Sequence, residues 1–332
     1  MGRALFKRPR TVLLLEWSQL KKIICQMWGP PGLYPRTPII FSYINDLTNF
    51  SNIISSLLFA DDSNLFISGP NLDTLQNQIN LEMPKLVEWL TSNRLSLNIN
   101  KTHSMIFGQN RRNISNPISI KINGQQLDLV TSSKFLGVII DNKLSWKDHT
   151  LYISKKLSKS IAILSLAKKY LNNKTMLQLY YSFVFPYLHY CNLAWGNTHD
   201  TTLWSIYRNQ KIALRIISNT SRRCSTIDFC KKFGILRLPQ IYQNSVGLFM
   251  FKYTNGLLPD IFVNFFTRNQ FYHSHNTRNA AQLRTPLTKT ISATKFIKFT
   301  GVASWNLLEH SITTTIKIGS FKKLLKKFIL DL

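Results

Sequence analysis

The sequence predicts an α+β protein, with short strands in its first part and helices in its second. Three observations carry this. Two apolar runs flank Asp61 and Asp62 in "IISSLLFADDSNLFI", residues 53–67, the pattern of a tight β-hairpin with an acidic pair at its turn. Leu72, Leu75, Ile79, Met83, Leu86 and Leu90 then recur at steps of three and four, which makes one helix face. From about Trp146 the apolar period becomes helical and stays so.

The elements follow in order. Asn71 or Asp73 caps the first helix, and Pro84 inside the pattern should kink or interrupt it. Short strand-like runs come next: "LSLNIN", "HSMIF", "ISIKING" and "KFLGVIID". Between His149 and His199 no Asp or Glu occurs, while Lys155, Lys156, Lys159, Lys168, Lys169 and Lys174 accumulate; this reads as a basic helical domain. An Asn-, Thr- and Ser-rich loop around 218–226 marks a boundary, and residues 221–332 mix helices with polar loops. The last stretch, "SFKKLLKKFILDL", reads as an amphipathic basic helix.

Composition narrows the function classes. With 332 residues, 44% of them hydrophobic, the chain can bury a substantial core, so wholesale disorder is excluded. Its 42 Lys+Arg against 15 Asp+Glu give a net charge of +27, which favours a polyanionic partner, most often nucleic acid. A membrane surface is the competing partner. The apolar run near the start ends at Glu16, too short for a signal core or a span, so the expectation is an intracellular protein, nuclear or cytoplasmic, neither secreted nor membrane-spanning. Cys25, Cys191, Cys224 and Cys230 are too scattered for a disulfide framework, and the spacing of Cys224 and Cys230 matches no common zinc pattern.

An acidic pair at a hairpin turn is also an ordinary solvated turn former. Its surroundings point further. "FADD" at 59–62, the following helix ending in "WL", then "NRLSLNINKT" and "KFLGVIID" resemble, in order and spacing, the reverse transcriptases of non-LTR (LINE-type) retrotransposons. "TMLQLYYSFVFPYLHYCNLAWGN" at 175–197 resembles the thumb region of the jockey- and CR1-like members. "HSHNTR" at 273–278, "GVASWNLL" at 301–308 and the closing basic helix resemble their C-terminal segment. The similarity covers roughly residues 39–332 and rests on several ordered motifs.

The resemblance implies a truncated palm at 39–142, a helical thumb at 143–220 and a mostly α extension at 221–332, with 1–38 as a degraded lead-in. It implies RNA-directed DNA polymerase chemistry, with an RNA template and DNA primer as partners and Mg²⁺ as cofactor. Such phosphoryl transfer uses two metal ions about 3.5–4 Å apart. Side chains alternate along a strand, so Asp61 and Asp62 cannot be equivalent ligands; the resemblance implies Asp61 as the main metal ligand and Asp62 as the auxiliary one. Lys101 would neutralise or protonate the leaving pyrophosphate, although a turn lysine can equally be simply solvated. Phe135, Leu136 and Gly137 would form the primer grip, and Lys155, Lys156, Lys159, Lys168 and Lys169 would contact the nucleic-acid backbone.

One segment departs from the family pattern. Before "YINDL" the family reads close to G-V-P-Q-G-S-I-L-G-P-L-L-F, whereas this chain has W-G-P-P-G-L-Y-P-R-T-P-I-I from Trp28. The two are compatible as codons. Trp28 is TGG, so a frame one nucleotide later gives GGG for glycine; Gly29 and Pro30 can then supply GTC for valine. The shifted reading continues through the whole motif without a failure. Residues 28–41 therefore read as a frameshift scar, which the DNA sequence of the locus can test. The first catalytic aspartate of the family is expected upstream of this loop, and "RPRTVLLLEWSQLKKIIC" reads as a lead-in, with Glu16 wrongly placed for that role. The expectation is a catalytically incomplete polymerase fragment; the alternative is a nucleic-acid-binding protein without catalysis.

Overall fold

The computed structural model describes residues 11–18, 44–59, 62–95, 97–108, 119–221, 223–271, 282–288, 290 and 293–332, with the side chains of 11–18 left aside. The chain divides into two units, Met1–Ser145 and Trp146–Leu332. Strands and one long helix make up the first and helices the second, so the class is α+β.

In the first unit, β1 (Thr11–Ser18), β2 (Ser55–Phe59), β3 (Asp62–Gly69), β4 (His103–Phe107) and β7 (Asp128–Leu129) form one sheet in the order β2-β3-β1-β4-β7. β2 and β3 are the expected antiparallel hairpin, closed by the pair Phe59↔Asp62. β1 lies antiparallel to both β3 and β4, and β7 pairs parallel to β4. Segment 11–18, read in the sequence as a lead-in, is thus the middle strand.

Helix α1 (Leu72–Ser92) starts where the side chain of Asn71 accepts a hydrogen bond from the Thr74 amide at 2.8 Å, so Asn71 rather than Asp73 is the cap. Pro84 does not interrupt the helix. The missing amide costs one hydrogen bond, but Leu75, Ile79, Met83, Leu86 and Leu90 on either side of it all bury into one core with Leu65, Ile67 and Ile106 of the sheet. Burial of about 1.5–3 kcal/mol for each such side chain outweighs the proline cost of about 3 kcal/mol.

Two further hairpins complete this unit. β5 (Lys121–Ile122) and β6 (Gln125–Gln126) are joined by Asn123-Gly124, both at positive φ (51° and 75°), the turn that an Asn-Gly pair favours. β8 (Ser132–Phe135) and β9 (Val138–Asp141) account for "KFLGVIID". The described residues of "LSLNIN" form no strand; the segment ends in a 3-10 turn at Ile99–Lys101 that leads into β4.

The second unit is built from α2 (Lys147–Ala167), α3 (Asn173–Phe183), α4 (Phe185–His189), α5 (Asn192–Trp195), α6 (Asp200–Ser218), α7 (Ile227–Phe233), α8 (Leu238–Thr254), α9 (Ile297–Asn306), α10 (His310–Thr313) and α11 (Ile318–Asp331). One core runs through it from Ile153 to Ile329. The segments 143–220 and 221–332, separated in the sequence by a polar loop, therefore share this core, and Tyr242, Val246, Met250, Phe266, Leu283 and Val302 form a second, smaller cluster within the latter. Gln210 ties the two segments together: its amide nitrogen donates to the Tyr180 hydroxyl (2.9 Å) and the Leu236 carbonyl (3.0 Å), and its oxygen accepts from the Leu238 amide (2.8 Å).

The closing basic helix α11 is amphipathic as expected, and the fold uses its apolar face. Phe321, Leu325 and Ile329 are buried, and Phe321 stacks on Phe251 of α8 with ring centroids 4.3 Å apart. Among the described residues no helix is long and apolar enough to cross a membrane.

Candidate active site and nucleic-acid interface

The acidic hairpin sits at one end of the sheet. Asp62 is the first residue of β3, half-buried, and opposite Ser18 of β1. Asp61, the other expected metal ligand, lies outside the described residues. Two rungs on from Asp62, the register sets Glu16 of β1 against Asn64 of β3 and, on its other side, against His103 of β4. Lys101 is exposed and two residues before His103, so the topology brings Asp62, Glu16 and Lys101 to the same sheet end. Sequence reasoning set Glu16 aside because it could not see that 11–18 would pair with β3.

Ser63 and Asn64, next to Asp62, are fully buried. The Ser63 hydroxyl and both polar atoms of the Asn64 amide have no partner among the described residues. Buried polar groups are usually hydrogen-bonded, so this is an unusual cluster beside a carboxylate. Among the described residues, no three His, Cys, Asp or Glu side chains converge to hold a metal ion.

Phe135, Leu136 and Gly137 form the β8–β9 turn. Phe135 pairs with Val138, and Leu136 (φ 44°) and Gly137 (φ 83°) occupy the left-handed region between them. Glycine takes that conformation freely, whereas leucine there costs roughly 1–2 kcal/mol. A leucine held in this way is a local strain of the kind that concentrates at functional turns.

The expected phosphate contacts fall on α2 and just beyond it. Lys155 and Lys159 are one helical turn apart and exposed, as is Lys169. Lys156 is half-buried, its ammonium 5.6 Å from the centroid of the Tyr152 ring. Lys168 is engaged within the fold: its ammonium donates to the Asn173 side chain at 2.7 Å and to the Ile217 carbonyl near the end of α6 at 3.3 Å. Cys191, Cys224 and Cys230 are free thiols, and burial pushes that of Cys230 up to about 11; Cys25 lies outside the described residues.

The basic field is wider than the sequence reading drew it. From 149 to 227 there are eleven Lys and Arg against the single Asp200. α6 carries Trp204, Tyr207, Arg208 and Lys211, which the sequence reading passed over. Their spacing of three, four and seven was the available signal, because it puts a basic and aromatic stripe opposite the buried Ile206, Gln210, Ala213 and Ile217. Compared with known proteins, the sequence matches no protein-family model, and no curated protein gives a significant match.

Proposed function

We propose that this chain is a portion of an RNA-directed DNA polymerase of the non-LTR retrotransposon type, which binds nucleic acid and does not turn over as a polymerase on its own. The observation that carries this reading is the meeting of the acidic hairpin and Lys101 at one sheet end, followed in the chain by a basic helical unit. Mg²⁺ belongs to the proposal through Asp61 and Asp62.

No turnover is expected because Asp61 and Asp62 by themselves are a poor holder for two metal ions, and each missing metal ligand removes charge stabilisation in the transition state worth several kcal/mol, where about 1.4 kcal/mol is already tenfold in rate. The test is primer extension on an RNA template with Mg²⁺ or Mn²⁺, comparing the wild-type chain with Asp61→Ala/Asp62→Ala. No template-dependent product is expected from either. Extension by the wild type that disappears in the double variant would overturn the inactive reading, and a Glu16→Gln variant would then show whether β1 completes the site.

The second reading, a nucleic-acid-binding protein without catalysis, is favoured by the eleven-to-one excess of cations over carboxylates from 149 to 227. It shares the binding prediction and differs in giving Asp61, Asp62 and Mg²⁺ no role.

A further inference from the structure

We propose that the outward stripe of α6 is a stacking site for an unpaired base of single-stranded nucleic acid, with Trp204 as the platform and Lys211 and Arg208 as the adjoining phosphate contacts. The inference rests on the nucleic-acid-binding reading above and gives it a site and a strand preference.

The geometry begins with Trp204, 60% exposed in the first turns of a 19-residue helix whose opposite face is fully engaged in the core. An indole so exposed presents apolar area that the fold does not use. Lys211 follows two helical turns later, roughly 10 Å along the axis. Its ammonium lies 4.1 Å from the Tyr207 ring centroid and 5.8 Å from that of Trp204. The cation is therefore held against both rings, where their electron-rich faces attract it. Arg208, exposed one turn after Trp204, lies on the same stripe.

This combination selects its ligand. Aromatic faces bind any base by stacking, and neighbouring cations bind the flanking phosphates; together they make a sequence-tolerant single-strand site. A duplex keeps its bases stacked inside and cannot offer one to Trp204. Charge favours a polyanion: Arg208 and Lys211 lie on the stripe against Asp200, its one carboxylate a turn before Trp204, and residues 149–227 as a whole carry eleven Lys and Arg to that single Asp. A second aromatic–cation pair, Tyr152 with Lys156 on α2, shows the same device elsewhere in the unit.

Fluorescence anisotropy of the full chain with labelled oligothymidylate, oligouridylate and a mixed-sequence duplex tests the proposal. Wild-type chain should bind the single strands, and Trp204→Ala should lower that affinity about 5- to 100-fold while changing duplex affinity less than about twofold. Trp204→Phe, which keeps a ring, should retain most of the affinity, and Lys211→Gln should weaken single strands and flatten their salt dependence. Circular dichroism checks that each variant is folded; Trp204→Phe with Lys211→Gln supplies the test if Trp204→Ala is not. Unchanged single-strand binding by Trp204→Ala, or equal losses on duplex and single strand, would overturn the stacking site and leave the general binding reading intact. No binding of any probe by the wild type would overturn both. Concentration-dependent self-association that Trp204→Ala abolishes would assign the stripe to a second copy of the chain and would also overturn the proposal.

Discussion

His149 is 2% exposed and boxed by aromatic rings: Trp195 at 5.5 Å, and Trp146 and Tyr152 each at 6.4 Å between centroids. Burial among these rings lowers its pKa from 6.5 to about 4, because the imidazolium loses its hydration. The unfolded chain therefore takes up a proton in a range where the folded one does not. Stability from this site is present above pH 6.5, declines as the pH falls through the range between 6.5 and 4, and is fully lost only below about pH 4, a change of about 3 kcal/mol. Thermal melts from pH 7 to pH 4 should show the loss, and His149→Phe should remove that part of the slope. Gln210 is the other residue on which the helical unit depends. Gln210→Ala leaves the Leu236 carbonyl, the Leu238 amide and the Tyr180 hydroxyl buried without their partner, so urea unfolding should report a loss of about 2–4 kcal/mol. Neither role can be read from sequence, since glutamine on a helix normally faces water and here the burial comes from residues far along the chain.

At the scale of elements, α8 and α11 approach closely through Gly247. A Cβ added there would stand 2.6 Å from a methyl carbon of Leu325, which is itself 1% exposed. Gly247→Val should therefore destabilise by about 1–3 kcal/mol in denaturant unfolding, because the packed leucine has little room to turn. Gln240 reinforces the same pair by donating to the Ile329 carbonyl at 2.8 Å. Several elements were legible beforehand: the β2–β3 hairpin from its alternating apolar runs, α1 from its period, and α11 from its amphipathic pattern. "LSLNIN" was not, because a short apolar alternation fits a strand and a turn equally, and here the chain turns into a 3-10 segment before β4. The interruption at Pro84 does not occur for a related reason: local propensity opposes the helix, and burial on both sides of the proline overrides it.

For the whole molecule, the charge of +27 should govern association with nucleic acid. Binding displaces counterions, so log K should fall linearly with log salt, with a slope of about −0.7 to −0.9 for each phosphate contacted. Lys155→Gln/Lys156→Gln/Lys159→Gln should weaken all sequences alike and make the slope shallower, as titrations from low to physiological salt would show; affinity indifferent to salt would refute the electrostatic account. The sequence by itself determined the α+β class, the strand-then-helix order, the acidic hairpin and the cationic field, because period, turn chemistry and charge are local properties of a chain. Only the tertiary structure decided that Thr11–Ser18 is the middle strand beside the acidic hairpin, that Lys168 bonds within the fold, and that residues 143–220 and 221–332 share one core. Each of these depends on pairing or packing between segments distant in sequence, and such contacts are chosen by the burial they jointly achieve rather than by any pattern within one segment.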